Sequence, residues 1–484
     1  MYCGDETGSF IGEIGSNSCR FGYGGEDNPK LVLPSFVANK RVVASRSLAK
    51  RFSPQDIECI LRRPEDEASL TDPNTFLRQG DIVENWDNLQ VVWDTAMDVL
   101  RAKDTLKHTT GGTAYSKSPT GGSSEGKCVH PILAITPGMT HYDGYGASYC
   151  AAVKRQQLIQ YTEFLLEEMD AASLFLAPAP MLAAFSVGRQ TAMVVDIGAG
   201  GTRVTPVVDG MLLEQAQRRS GRGGDWLGHV TWQALLHEKI VPKPRYLTRV
   251  DTLAQQSKIS IFDSWAVQDL MYELRTQTFV QVEATPCGPP RTPFTKSSSN
   301  MNKDVGTGSA SPTRDIADKA GSLGTPTIYQ FPDGQVVDLC ATTFGYDLTR
   351  IPELLFSRTL PFTHPSPTNP LSTLTDAPLH ELIHSSLLAV GDVDVRKELS
   401  NNIILTGGSS LFPNLDVRLS YELATLLPNF TRPKVIAPRF SVERSCAPWI
   451  GASILTSLGS FQQLWLSRTE YEEYGSTLAI QRFP

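Results

Sequence analysis

The sequence predicts an α/β protein with more than one sheet-centred unit, and three observations carry that prediction. Strand-like and helix-like runs alternate along the chain. One strand–turn–strand motif occurs twice. The composition is that of a chain able to bury several cores, with 40% of the 484 residues apolar and 20% charged. At about 150 residues per domain, a chain of this length holds two to four domains.

In chain order, Leu31–Leu33 reads as a strand, Asn88–Leu100 as a helix, Ile132–Ile135 as a strand and Lys154–Met169 as a helix. Met193–Asp196 and Val204–Val208 follow as strands, His229–Leu236 and Leu379–Leu388 as helices, Ile403–Leu405 as a strand and Leu411–Leu426 as a helix. The strands are short apolar runs and the helices longer runs of helical periodicity. Three stretches break the alternation: Lys107–Cys128 (with GGTAYSKSPTGGSSEG), Thr285–Thr325 (with CGPPRTPFTKSSSNMNKDVGTGSASP) and Thr363–Thr375. Rich in Ser, Thr, Gly and Pro, they cannot bury enough apolar surface to offset their ordering entropy and read as flexible surface insertions.

The charge balance, 44 Lys and Arg against 51 Asp and Glu, leaves a net −7. That argues against a dedicated nucleic-acid binder, and no sequence-specific DNA contact is expected. No apolar run approaches the roughly 20 residues of a membrane span. The polar, acidic start Met1–Glu6 lacks the pattern of a signal peptide. The eight cysteines (Cys3, Cys19, Cys59, Cys128, Cys150, Cys287, Cys340 and Cys446) form no Cys-x-x-Cys pair, so free thiols are expected rather than structural zinc. His380 and His384, four apart, read as one face of a helix rather than as a metal site.

The informative feature is the repeat. Phe10–Arg20 reads FIGEIGSNSCR and Met193–Arg203 reads MVVDIGAGGTR, about 180 positions later. Each has an apolar strand, an acid followed by Ile-Gly, small residues, and an Arg seven positions after the acid. A small-residue turn of this kind lets backbone N–H groups approach a phosphate chain. On that reading Gly15, Ser16, Asn17 and Arg20 form one phosphate-binding hairpin, and Asp196, Gly198 and Gly200 the other, with Arg203 able to supply charge. Glu13 and Asp196 could hold a phosphate-bound Mg²⁺ through water. A third element, Ile403–Ser410 (IILTGGSS), again follows a strand, and Gly407, Gly408 and Ser409 would let a base or ribose pack against backbone, beside Phe412. For either hairpin alone, a tight turn with a solvated charge is the plainer alternative.

Together with Gly80–Asp87 (GDIVENWD), Asp392–Leu399 (DVDVRKEL) and the C-terminal run from Trp449 to Gly475, these elements resemble actin and the actin-related proteins over about residues 8 to 482. Two tracts, the start Tyr2–Glu6 and Tyr329–Gly334 with Ile351–Phe356, resemble the nuclear branch of that family. The resemblance implies an actin-like fold of two lobes, each with a ribonuclease-H-like mixed sheet and an inserted smaller subdomain, with a nucleotide cleft between them. The first lobe would comprise 1–186 and 447–484, with 35–76 inserted and 107–128 flexible. The second would comprise 187–446, with 223–378 inserted and 285–325 flexible.

Against the family pattern, Glu13 replaces an Asp, Asn17 a Gly and Arg20 a Lys in the first hairpin. In the second, an Asp has become Ala199, and aligning on Gly188–Arg189 puts Ala179 where the catalytic Gln stands and Arg203 where a His stands. Ser445 and Phe412 replace a Lys and a Tyr at the adenine side. The resemblance therefore implies no catalytic residues and no hydrolysis, with ATP (and Mg²⁺) held intact or the cleft left empty.

The apolar residues Ile454, Leu455, Leu458 and Leu464, with Phe461, Trp465 and Phe185, match by resemblance a cleft that receives partner helices; their plainer reading is ordinary core. By the same resemblance the chain is a nuclear scaffold subunit of chromatin-remodelling and histone acetyltransferase complexes. It would pair with monomeric actin on a helical segment of a remodelling ATPase or acetyltransferase scaffold. Histones, being cationic, would meet its acidic surface. The charge-rich segment from Ala38 to Thr75 matches the family's filament-forming loop poorly, so polymerisation is not expected. The alternatives are an ATP-hydrolysing cytoskeletal polymer and a phosphotransferase of the same superfamily.

Overall fold

Each copy of the repeat folds as an antiparallel hairpin in the middle of its own sheet. The computed structural model describes residues 8–38, 41–42, 74–75, 77–78, 82–110, 130–138, 147–243, 261–286, 327–340, 348–358, 377–428 and 432–483. The three predicted insertions lie almost wholly outside these residues, as does most of Ala38–Thr75.

In chain order the elements that frame the site are β1 (Phe10–Glu13), β2 (Ser18–Tyr23), β3 (Leu31–Pro34), α1 (Trp86–Thr110), β4 (Ile132–Thr136), α2 (Ala147–Glu163), β5 (Ser173–Pro178) and α3 (Ala179–Ser186). Next come β6 (Ala192–Ile197), β7 (Thr202–Val208), β8 (Met211–Leu212), β9 (Arg218–Ser220), α4 (Gly224–His237), α5 (Ile261–Arg275), α6 (Leu379–Ala389) and α7 (Val393–Asn401). Then follow β10 (Ile403–Thr406), α8 (Leu415–Leu426), β11 (Val435–Ile436), α9 (Ala447–Ser457) and β12 (Leu466–Ser467).

The first sheet runs β12-β5-β4-β1-β2-β3, with β1 parallel to β4 and antiparallel to β2. The second runs β8-β7-β6-β10-β11, β9 pairing with β7, and β6 is parallel to β10 and antiparallel to β7. Both sheets are mixed, because a tight hairpin supplies an antiparallel pair while the helical crossovers supply parallel ones. The strands and helices read from the sequence all form. Two differ in detail: Lys154–Met169 ends in a π-helical turn at Phe164–Glu168, and Leu411–Leu426 begins as a 3₁₀ turn that gives way to α8.

Two cores follow from the two sheets. Phe10, Phe21 and Trp93 pack together in the first, their ring centroids 5.2–6.0 Å apart. Gly12 lies so close under the Trp93 ring that any side chain there would collide with it. The second core gathers Val195, Ile197, Leu405 and the inner faces of α4, α5, α6 and α8. A small third cluster of Ala183, Ala184, Ala192, Val194, Val207, Ile404 and Ala447 joins α3, β6, β7, β10 and α9. There the chain passes from one sheet to the other through α3 and returns through α9. A Cβ on Gly451 of α9 would collide with the Leu182 carbonyl of α3, so the two helices touch backbone to backbone. Among the described residues no helix is long and apolar enough to cross a membrane.

Candidate functional site

The seven-residue spacing between acid and Arg is a cross-strand pairing. Glu13 lies opposite Arg20 across β1 and β2, and Asp196 opposite Arg203 across β6 and β7. Each pair closes as an ion pair: Arg20 Nη1 donates to Glu13 Oε1 at 2.5 Å and Arg203 Nη1 to Asp196 Oδ2 at 3.0 Å. Burial pushes the Glu13 carboxyl above its ordinary value, Arg20 pulls it back, and Asp196 pushes it up further, which places the two acids in one field. Burial opposes the charge on Arg20, but Glu13, then Cys446 and Asp196, outweigh it, so the guanidinium is held charged more firmly than usual. Glu13 Oε2 is buried and has no hydrogen-bond partner among the described residues.

The turns between these strands carry the predicted glycines. In the first, Gly15, Ser16 and Asn17 are half-buried. The Ser35 hydroxyl donates to the Gly15 carbonyl and the Ser35 N–H to the Asn17 carbonyl, pinning the turn to the end of β3. In the second, the Gly198 N–H donates to the Gly201 carbonyl at 2.9 Å. The carbonyls of Gly198 and Ala199 also accept the Gly224 and Asp225 N–H groups at the start of α4, each at 2.9 Å. These are orphan donors of a helix N-terminus, so the turn caps the helix. The third element bends at Gly407, whose φ of +92° favours glycine, and where a Cβ would collide with Asp196 Oδ1 and the Ile197 carbonyl. The Ser409 hydroxyl reaches the Gly198 carbonyl at 3.4 Å. The second and third turns are thus neighbours, while the first is related to them through the Glu13–Asp196 field, and Gly15–Asn17, Gly198, Gly200, Gly408 and Ser409 all keep accessible surface. Accessible glycine-rich backbone of this kind fits the phosphate and ribose end of a nucleotide.

A cavity of about 10 Å³, room for one water molecule, is bounded by Ala179, Asp196, Arg203, Thr205, Thr406 and Pro448 among others. Ala179 and Arg203, which the alignment puts where a catalytic Gln and a His stand, thus line one cavity together with Asp196, across α3, β7 and β6. What they present is a methyl group, a carboxylate and a guanidinium.

Magnesium fits this arrangement poorly. Mg²⁺ keeps several of its waters and is held through free carboxylate oxygens. Asp196 has one oxygen on Arg203, while Glu13 has one on Arg20 and the other buried. Among the described residues no group of three or more His, Cys, Asp and Glu could hold a metal ion, and His380 and His384 lie on α6.

Other predicted residues fall apart from the turns. Phe412, read as an aromatic face at the adenine side, packs against the second core and is 8% exposed. Ser445 is partly accessible, its hydroxyl turned to the Val442 carbonyl. The apolar stripe divides. Phe461 and Trp465 are core, packed on Phe175, whereas Ile454, Leu458 and Leu464 are 44%, 49% and 51% exposed. Leu455 and Phe185 are half-buried against the first core, Phe185 lying under Gly210.

Two arginines hold the site from behind and left no signal in the sequence. The Arg444 carbonyl accepts from the Gly407 N–H and the Thr406 hydroxyl, while its guanidinium donates to Ser410 and Pro438 carbonyls, bracing the third turn. Arg275 of α5 donates to the Gly224 carbonyl at the start of α4. Burial lowers its pKa to about 10 against the pull of Asp225, and burial raises the Asp225 carboxyl. Neither arginine sits in a repeat or a spacing pattern, so only the packing reveals it.

Comparison with known proteins agrees with this architecture. The actin family model matches residues 4–484. Proteins called Actin-related protein 4 match along nearly their whole length. The one from Arabidopsis thaliana is 28% identical with all of both chains covered. That from Emericella nidulans is 29% identical, covering 99% of this chain and 97% of its own. That from Schizosaccharomyces pombe is 26% identical, covering 98% and 96%. With two mixed sheets, a repeated hairpin in each and a family match over nearly every residue, this chain belongs to the actin family as an actin-related protein.

Proposed function

We propose that the chain is a non-catalytic scaffold subunit of nuclear chromatin-remodelling or histone acetyltransferase complexes, pairing with monomeric actin on a helical segment of the large subunit. Its cleft would hold ATP without splitting it, and its acidic surface would meet histones. Full-length similarity to proteins called Actin-related protein 4 supports the branch, as do the two tracts that resemble the nuclear members.

One observation carries the non-catalytic reading: Ala179, Asp196 and Arg203 surround a cavity with room for one water. Phosphoryl transfer to water depends on aiming the nucleophile and on stabilising charge. The Ala179 methyl cannot aim a water. Arg203 can only donate hydrogen bonds and is engaged by Asp196, which leaves that carboxylate a poor proton acceptor. Losing one such group typically costs two to three orders of magnitude, roughly 3–4 kcal/mol. The purified chain should therefore release no phosphate above background in a malachite-green assay, while nucleotide is recovered from it on denaturation. Steady turnover at the rate of actin would overturn the reading. Affinity purification from nuclear extract should recover actin with a remodelling ATPase or acetyltransferase scaffold, and recovery of filament regulators instead would oppose it.

A further inference from the structure

The acids and arginines of the two hairpins are arranged as two ion pairs, one on each hairpin. Both are i, i+7 partners of β-ladders, so the pairing is built into the register of β1–β2 and of β6–β7 rather than into flexible loops. Asp196 has Oδ2 on Arg203, and its side chain keeps 28% of its surface accessible. Glu13 has Oε1 on Arg20 and Oε2 buried.

Glu13 and Asp196 contribute two negative charges and Arg20 and Arg203 two positive ones, so the quartet is balanced with no metal present. An Arg fork carries five N–H donors and matches phosphate geometry, so one guanidinium can serve a carboxylate and a phosphate oxygen together. The turns above the quartet add accessible backbone at Gly15–Asn17 and Gly198.

We infer that the cleft binds a nucleoside triphosphate without a divalent cation, Arg20 and Arg203 supplying from the protein the counter-charge that a metal would bring. This rests on the reading of the cleft as a nucleotide site. Its test is titration of the full chain, stripped of nucleotide, with fluorescent N-methylanthraniloyl-ATP, once with excess EDTA and once with millimolar Mg²⁺. The inference expects dissociation constants within about threefold of each other in the two buffers. Binding weaker by more than about tenfold in EDTA overturns it and leaves the nucleotide site standing. No binding in either buffer overturns both together. Arg203→Gln frees Asp196 and removes one counter-charge, so it should weaken binding in EDTA by about tenfold or more while Mg²⁺ restores part of it. Unchanged binding of that variant in EDTA speaks against the inference. If it does not fold, as thermal melting would show, the comparison of buffers on the unaltered chain decides alone.

Discussion

Glu13 shows how one methylene and one strand register decide the character of the site. Its side chain is buried at the end of β1 and faces Arg20, so it carries both a desolvation penalty and a partner. Because burial raises its folded pKa above the ordinary 4.5, the folded state holds this proton more tightly than the unfolded chain does. The stability this group contributes is then full below 4.5 and is lost as pH rises through the raised value. Urea titrations of the unaltered chain and of Glu13→Gln across that range should show the balance moving in favour of the Gln variant as pH rises. A gap that does not change with pH would refute the assignment. Arg20→Ala leaves the same carboxylate buried without its counter-ion and should cost about 3–5 kcal/mol, read from denaturant midpoints.

At the scale of elements, α3 and α9 deserve the most weight, because the chain changes sheets through one and returns through the other. Their crossing depends on Gly451, which lets the α9 backbone rest on the Leu182 carbonyl of α3. Gly451→Ala would force the helices apart, and overpacking of this kind costs about 1–3 kcal/mol. Calorimetry should show a lower Tm, and an unchanged Tm would mean that the crossing has slack. The same displacement would move Ala179, at the first turn of α3, relative to Asp196 and Arg203 across the small cavity they share.

For the whole molecule, the stripe after Trp449 separates stability from recognition. Phe461 and Trp465 support the first core, while Ile454, Leu458 and Leu464 stand on its surface. An apolar patch of this kind fits the helix-in-groove mode proposed above. Ile454→Asp with Leu458→Asp should leave melting nearly unchanged, since surface substitutions usually shift stability by within about 0.5 kcal/mol. The same variant should lose co-purification of actin or of the helical scaffold segment. Retained partners with a normal melt would exclude this patch as the docking surface.

Much of this was legible before any fold was known. The acid, the Ile-Gly, the small residues and the Arg at seven positions are local chemistry, and a two-strand ladder converts that spacing into a cross-strand pair. Strand and helix periodicity is likewise local, which is why every element read from the sequence forms. The sequence alone determined two hairpins, their glycine turns, the charges at their ends and the methyl at position 179. Only the tertiary structure decided that each guanidinium lies on its own carboxylate, that Phe412 turns into the core, that the apolar stripe splits between core and surface, and that Arg275 and Arg444 brace the turns. Those outcomes depend on which surfaces are removed from water when the sheets and helices pack. That is a property of residues distant along the chain, and no local pattern records it.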